Sequence, residues 1–167
     1  MPDTTITKLK RSHLMHGIDS TFGGETPSWY IIGKDVEDMS MELNPSTSTV
    51  KNILDETSVN DEGYEPSMSV ETYYARPGDP IYPKIKDIAM NRLTDDDCMT
   101  KMIEILIDKT TGAYDAWVED CMIKPTSYGG PQGGVNIPYT ITPCGNRTKG
   151  SVTIANKVIT FTAAAEG

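Results

Sequence analysis

Residues 101–123 read KMIEILIDKTTGAYDAWVEDCMI, and their spacing decides the fold. Ile103, Ile105 and Ile107 fall on one side of an extended chain, a period of two that no helix produces. A turn at TTGA, residues 110–113, follows. YDAWVEDCMI then continues the sheet, with Trp117, Cys121 and Ile123 on one face against Val118, Asp120 and Met122 on the other.

Toward the C-terminus comes SYGGPQGGVNIPYTITPCGNRTKGSV, residues 127–152. A phosphate-binding loop needs G-x-x-x-x-G-K-[ST], so that backbone N–H groups wrap the phosphates while Lys and a hydroxyl reach the terminal phosphate and its metal. Gly145 and Gly150 have that separation, but Ser151 and Val152 follow and an alternating strand replaces the helix. The glycines therefore read as connections between strands. Gly129, Gly130, Gly133 and Gly134 suit positive φ, and Gly145 with Asn146 suits a tight turn. Val135, Ile137, Tyr139 and Ile141 alternate, then Val152 and Ile154, then Ile159 and Phe161 after a hairpin turn at Asn156 and Lys157. Pro138 inside an alternating run favours an edge strand or bulge.

Toward the N-terminus, DPIYPKIKDIAMNR places Ile81, Ile85, Ile88 and Ala89 at i, i+4, i+7 and i+8, the single apolar stripe of a helix over 80–92. Asp79 suits its cap and Pro80 or Pro83 its first turn. SMSVETYY and VEDMSMEL alternate as strands, the latter grouping Met39, Met41 and Leu43. WYIIG is a short apolar run. Residues 44–66 between them are polar and acidic, a long loop or protruding hairpin. Residues 1–27 show little periodicity and carry Lys8, Lys10 and Arg11, which reads as an N-terminal arm. A single β domain over 28–162 and a short tail at 163–167 complete the chain, with about seven strands expected.

At 167 residues the chain can bury roughly 70% of its unfolded surface. Its apolar fraction of 37%, with only 2 Phe and 2 Trp, is low, which points to stability drawn partly from association. A net charge of −9 excludes a nucleic-acid groove or anionic-membrane surface built on clustered Lys and Arg. Ten acids between Asp35 and Tyr74 face Lys51 alone, whereas from Cys121 onward Lys124, Arg147, Lys149 and Lys157 face only Glu166. That asymmetry fits either solvated acidic loops or complementary self-association surfaces. Cys98, Cys121 and Cys144, an odd set without a C-x-x-C pair, fit neither a disulfide framework nor a zinc site and read as reduced core residues of a protein made in a cytoplasm. No leader and no membrane-spanning stretch is legible.

The catalytic inventory is empty. His13 and His16 both fall in the expected arm, without a nucleophile or a third metal ligand. DDDC at 95–98 lacks EF-hand spacing and stops a helix. Asn146-Arg147-Thr148 matches a glycosylation sequon that has no meaning without secretion. No enzyme activity, cofactor or metal is expected.

The ordered set GKDVEDMSMELN, KNILDETS, GYEPSMSVETYYARPGDPIYPKIKDIAMNRL, AWVEDCMIKPTSYGG and IPYTITPCGNRTKGSVTI resembles the major tail (tail tube) proteins of long-tailed phages of Gram-positive bacteria, over about residues 30–162. The resemblance implies a mainly β protein with one α-helix, an antiparallel sandwich or partial barrel with a long loop and terminal arms. It implies hexameric rings stacked into a hollow tube through which double-stranded DNA passes without specific binding. The implied partners are further copies of the chain, a tape measure protein, and tail terminator and distal tail proteins, in a virion assembled in the host cytoplasm without membrane anchoring. The long loop would reach the next ring through Val50, Ile53, Leu54, Asp55 and Glu56. Asp35, Glu37, Asp38, Glu42 and Glu71 are candidates for an acidic lumen wall, which would repel phosphates and let DNA slide. Gly129, Gly130, Gly133, Gly134 and Pro138 are candidates for a seam between subunits, since an edge strand is where a neighbour docks. A DNA-free phage-tail-like bacteriocin or injection particle shares this chemistry; a monomeric β-sandwich binding module is the remaining alternative.

Overall fold

A computed structural model describes residues 6–109 and 113–164. The turn expected at 110–113 is outside the described residues except for Ala113, as are the first residues of the expected arm and the last of the tail. The described residues form ten strands and one α-helix. The strands are β1 (Leu14–Asp19), β2 (Trp29–Ile31), β3 (Met41–Glu42), β4 (Pro45–Lys51), β5 (Thr57–Tyr64), β6 (Ser67–Val70), β7 (Met99–Leu106), β8 (Tyr114–Pro125), β9 (Tyr139–Ala155) and β10 (Val158–Ala163); helix α1 (Tyr82–Asn91) lies between β6 and β7. The main sheet runs β2-β1-β7-β8-β9-β6-β3, with β10 beside the far half of β9, and every pairing is antiparallel.

The alternation at 101–123 does what its period dictates. β7 and β8 pair from Met99 opposite Met122 to Leu106 opposite Asp115. Each strand feeds two cores because its side chains alternate across the sheet. Met102, Cys121 and Ile123 join the larger core with Ile18, Met68, Val70, Tyr139, Ile141, the helix N-cap Ile81 and the helix residues Ile85 and Ala89. Ile103, Ile105 and Ala116 join Val152 in a smaller core on the other face, closed by Trp29, Ile159 and Phe161. Trp29 belongs to β2 and Phe161 to β10, so both margins of the sheet curl over one core as a partial barrel. Gly150 makes this possible: a Cβ there would stand 2.7 Å from the Phe161 ring.

Helix α1 starts two residues later than the sequence suggested. Asp79 contributes its carbonyl, not its side chain, to the first turn, while Arg92 in left-handed conformation ends the helix.

Several sequence readings are corrected. The arm stops at His13: β1 pairs on both sides, and His16 and Ile18 are buried. LMHGID mixes His, Gly and Asp into a core strand, so no apolar alternation betrayed it. Of the two forms open to the acidic stretch 44–66, a long loop or a protruding hairpin, it takes the hairpin, β4 against β5. Only Met41 and Glu42 of VEDMSMEL form a strand; Met39 is buried but Leu43 is exposed, because Asn44 turns the chain at positive φ. Gly145 and Asn146 do not make a turn. They lie inside continuous β9 where its register against β8 shifts between Val118 and Cys121, with Gly145 opposite Asp120, and Asn146 Nδ2 donates to Asp120 Oδ2 at 2.7 Å. Asn156 and Lys157, both at positive φ, do make the expected hairpin turn. Cys98 and Cys121 are buried, but Cys144 is exposed on β9.

Candidate functional site

The candidate site is a set of surfaces, each placed by the sheet. The five acids singled out in the sequence come together at the β3–β6 margin. Asp38, Glu42 and Glu71 line one depression with Ser67 and Thr140; Asp35, Glu37, Asp38 and Glu71 line the next. Among the described residues one cation pairs with them: Arg76 with Asp35 at 2.7 Å. Asp35 is held there at positive φ, a conformation Asp tolerates better than most residues.

Hairpin β4–β5 stands apart from this margin. Its strands pack chiefly on each other, and almost all their side chains face solvent. The turn is built by Asn52, whose Oδ1 accepts from the N–H groups of Leu54 at 2.8 Å and Glu56 at 3.0 Å. That Asx geometry lifts Ile53 and Leu54 out at the tip, 100% and 72% exposed. Val50 lies along the same hairpin, and Asp55 and Glu56 sit beside the tip, Asp55 3.4 Å from Lys51.

The glycine stretch behaves differently from expectation. Gly129 and Gly130 take positive φ as the sequence suggested, while Gly133 and Gly134 do not. Gly129 exchanges backbone hydrogen bonds with Asn136 at 3.1 and 2.7 Å. Pro138 leads into β9, which lies between β8 and β6, and its carbonyl accepts from the Thr126 N–H. This segment is not an edge strand: a proline is tolerated because it precedes the first ladder residue, Tyr139.

A partly buried ionic cluster went unrecognised in the sequence. His16 on β1, Glu104 on β7, Glu119 on β8 and Arg147 on β9 converge across four strands. Arg147 Nη1 donates to Glu104 at 3.0 Å and to Glu119 at 2.9 Å, and His16 Nε2 stands 3.7 Å from Glu104 Oε2, too far for a hydrogen bond. Burial pushes the Glu104 carboxyl up, but the pull of His16 and Arg147 outweighs it and holds the group below its ordinary range. Arg147 and Lys149 also lie over the Trp117 ring, 5.7 and 5.8 Å from its centroid. No sequence spacing links Glu104 and Glu119 to Arg147; the strand register brings them together. Among the described residues, no three His, Cys, Asp or Glu side chains converge as a metal site requires, and no helix is long and apolar enough to cross a membrane.

A curled antiparallel sheet, one helix across its larger core and a free-standing hairpin together define the fold of a phage tail tube subunit. The chain is similar to a subunit of the SPP1 tail tube, solved by solid-state NMR and cryo-EM: TM-score 0.58 and 18% identity, covering 85% of this chain and 78% of that one. At that identity the likeness establishes the fold. No family model matches the chain, nor does any curated protein.

Proposed function

We propose that this chain is a structural virion protein that self-assembles into the tail tube of a phage of Gram-positive bacteria. Copies close into hexameric rings, the rings stack, and the tube carries the genome into the host cell. The observation that carries this reading is the fold shared with the SPP1 tail tube over most of both chains. The surfaces suit it: unpaired margins at β2, β3 and β10 leave backbone groups for neighbours to satisfy. The acidic margin of Asp35, Glu37, Asp38, Glu42 and Glu71 is the proposed lumen wall, and hairpin β4–β5 is the proposed contact to the next ring. The stretch 129–138 is a proposed seam through its exposed side chains, its backbone being largely engaged within the subunit. Tape measure, terminator and distal tail proteins are the further partners, met in the host cytoplasm where the virion is built.

Sedimentation velocity with light scattering on the purified chain tests this. The expected result is concentration-dependent growth from an 18.3 kDa monomer to rings and longer cylinders. A monomer at every concentration contradicts it.

A further inference from the structure

The hairpin offers an apolar tip with no partner among the described residues, and the partial barrel offers a place for one. Between the β2 and β10 margins lies a groove of about 470 Å³, lined by Trp29, Val118, Val158, Ile159, Phe161 and Lys101 among others. Its volume falls within the ~300–1,000 Å³ range of clefts that bury ligands. Its floor is aliphatic and aromatic, and Val158 on its rim is 63% exposed. The cation lining it is Lys101, with a half-exposed side chain 3.9 Å from Asp120; Lys157 is outside the lining, in the turn next to the rim residue Val158. The tip is the complement in both respects. Ile53 and Leu54 are apolar and exposed, and the acids that follow them, Asp55 and Glu56, match the lysines.

We infer that Ile53 and Leu54 seat in the β2–β10 groove of a second copy of this chain, with Asp55 and Glu56 against its Lys101 and Lys157. The inference rests on the tube reading and assigns the receiving surface for the hairpin. Knob and groove are different parts of the subunit, so the contact is head-to-tail and repeats without exhausting itself. It also supplies a packing partner that an isolated two-stranded hairpin lacks, since such hairpins are marginal in water.

Two mixtures test it, in a Cys144→Ser background that removes the exposed thiol. Chains bearing Leu54→Cys are mixed with chains bearing Val158→Cys under mild oxidation; a disulfide between the two variants is expected, and neither variant alone should link to itself. In parallel, Leu54→Asp and Val158→Asp should each raise the critical concentration for assembly at least tenfold while circular dichroism stays that of the parent. Asp55→Lys with Glu56→Lys should weaken assembly likewise, and combining it with Lys101→Glu and Lys157→Glu should restore it. If the parent forms cylinders and the variants form them equally well, or if Leu54→Cys links to itself instead, the groove assignment falls and the tube reading stands. If the parent never assembles, both fall.

Discussion

Replacing Arg147 by Met removes the cation that, among the described residues, hydrogen-bonds two largely buried carboxylates. Glu104 and Glu119 are 14% and 10% exposed at their side chains, whereas Arg147 is 41% exposed. Breaking a fully buried pair costs about 3–5 kcal/mol, but water reaches the arginine end, so about 2 kcal/mol is the expected loss at neutral pH. With a urea dependence of about 2 kcal/mol per molar for a chain this long, the unfolding midpoint should fall by roughly 1 M. The pH dependence carries the sharper test. In the parent, Glu104 is held below its ordinary range, so its contribution is present above the unfolded carboxylate pKa and is lost as pH falls through the lower folded value. In Arg147→Met, burial without the guanidinium raises the folded value, so the variant gains stability as pH falls through it. The gap between the two midpoints should therefore close on acidification. Adding Glu104→Gln and Glu119→Gln to Arg147→Met should recover much of the loss at neutral pH. An unchanged midpoint, or a gap that persists at acid pH, would refute the cluster's role.

Gly150→Ala puts a Cβ 2.2 Å from the Thr162 carbonyl oxygen, so β10 must shift; a loss of about 2 kcal/mol in urea unfolding is expected, and parent-like stability would contradict the close packing of Phe161. Replacing residues 45–64 by a short Gly-Ser link should leave the body's unfolding midpoint within about 0.5 kcal/mol of the parent, because β4 and β5 pack chiefly on each other, while abolishing tube growth in sedimentation. Lysines at Glu37, Asp38, Glu42 and Glu71 together should leave tubes intact but slow DNA release from reconstituted particles, since each adds a phosphate contact; normal release kinetics would remove these residues from the lumen.

Much of the sheet was legible because its strands keep a strict period of two. The alternation at 101–107, 114–123 and 152–161 marked the strands, although β7 and β8 bury apolar residues on both faces, and the Asn156-Lys157 turn carries its own chemistry. Strand β1 was not legible: its His16, Gly17 and Asp19 are buried for specific reasons of register. Gly17 leaves room where a Cβ would stand 3.0 Å from Ile103, and Asp19 caps the following turn through Thr21 and Ser28. Bulges defeat sequence reading in the same way. Gly145-Asn146 carries the signature of a tight turn, yet β8 holds β9 straight through it, with Asp120 bonding the Asn146 amide. The acidic candidates were legible as a set, since composition alone concentrates them between Asp35 and Tyr74. Their convergence on one margin depends on β3 pairing with β6. The groove that receives the hairpin tip in the proposed assembly joins Trp29 to Phe161, residues far apart in the chain that only the curl of the sheet brings together.

Cryo-electron microscopy of tubes grown from the purified chain tests the central claim most directly. The account predicts stacked hexameric rings around an open lumen, with Glu37, Asp38, Glu42 and Glu71 facing the channel and each hairpin β4–β5 crossing to the adjacent ring. Particles that remain single subunits, or tubes whose hairpins stay within their own ring, would contradict it.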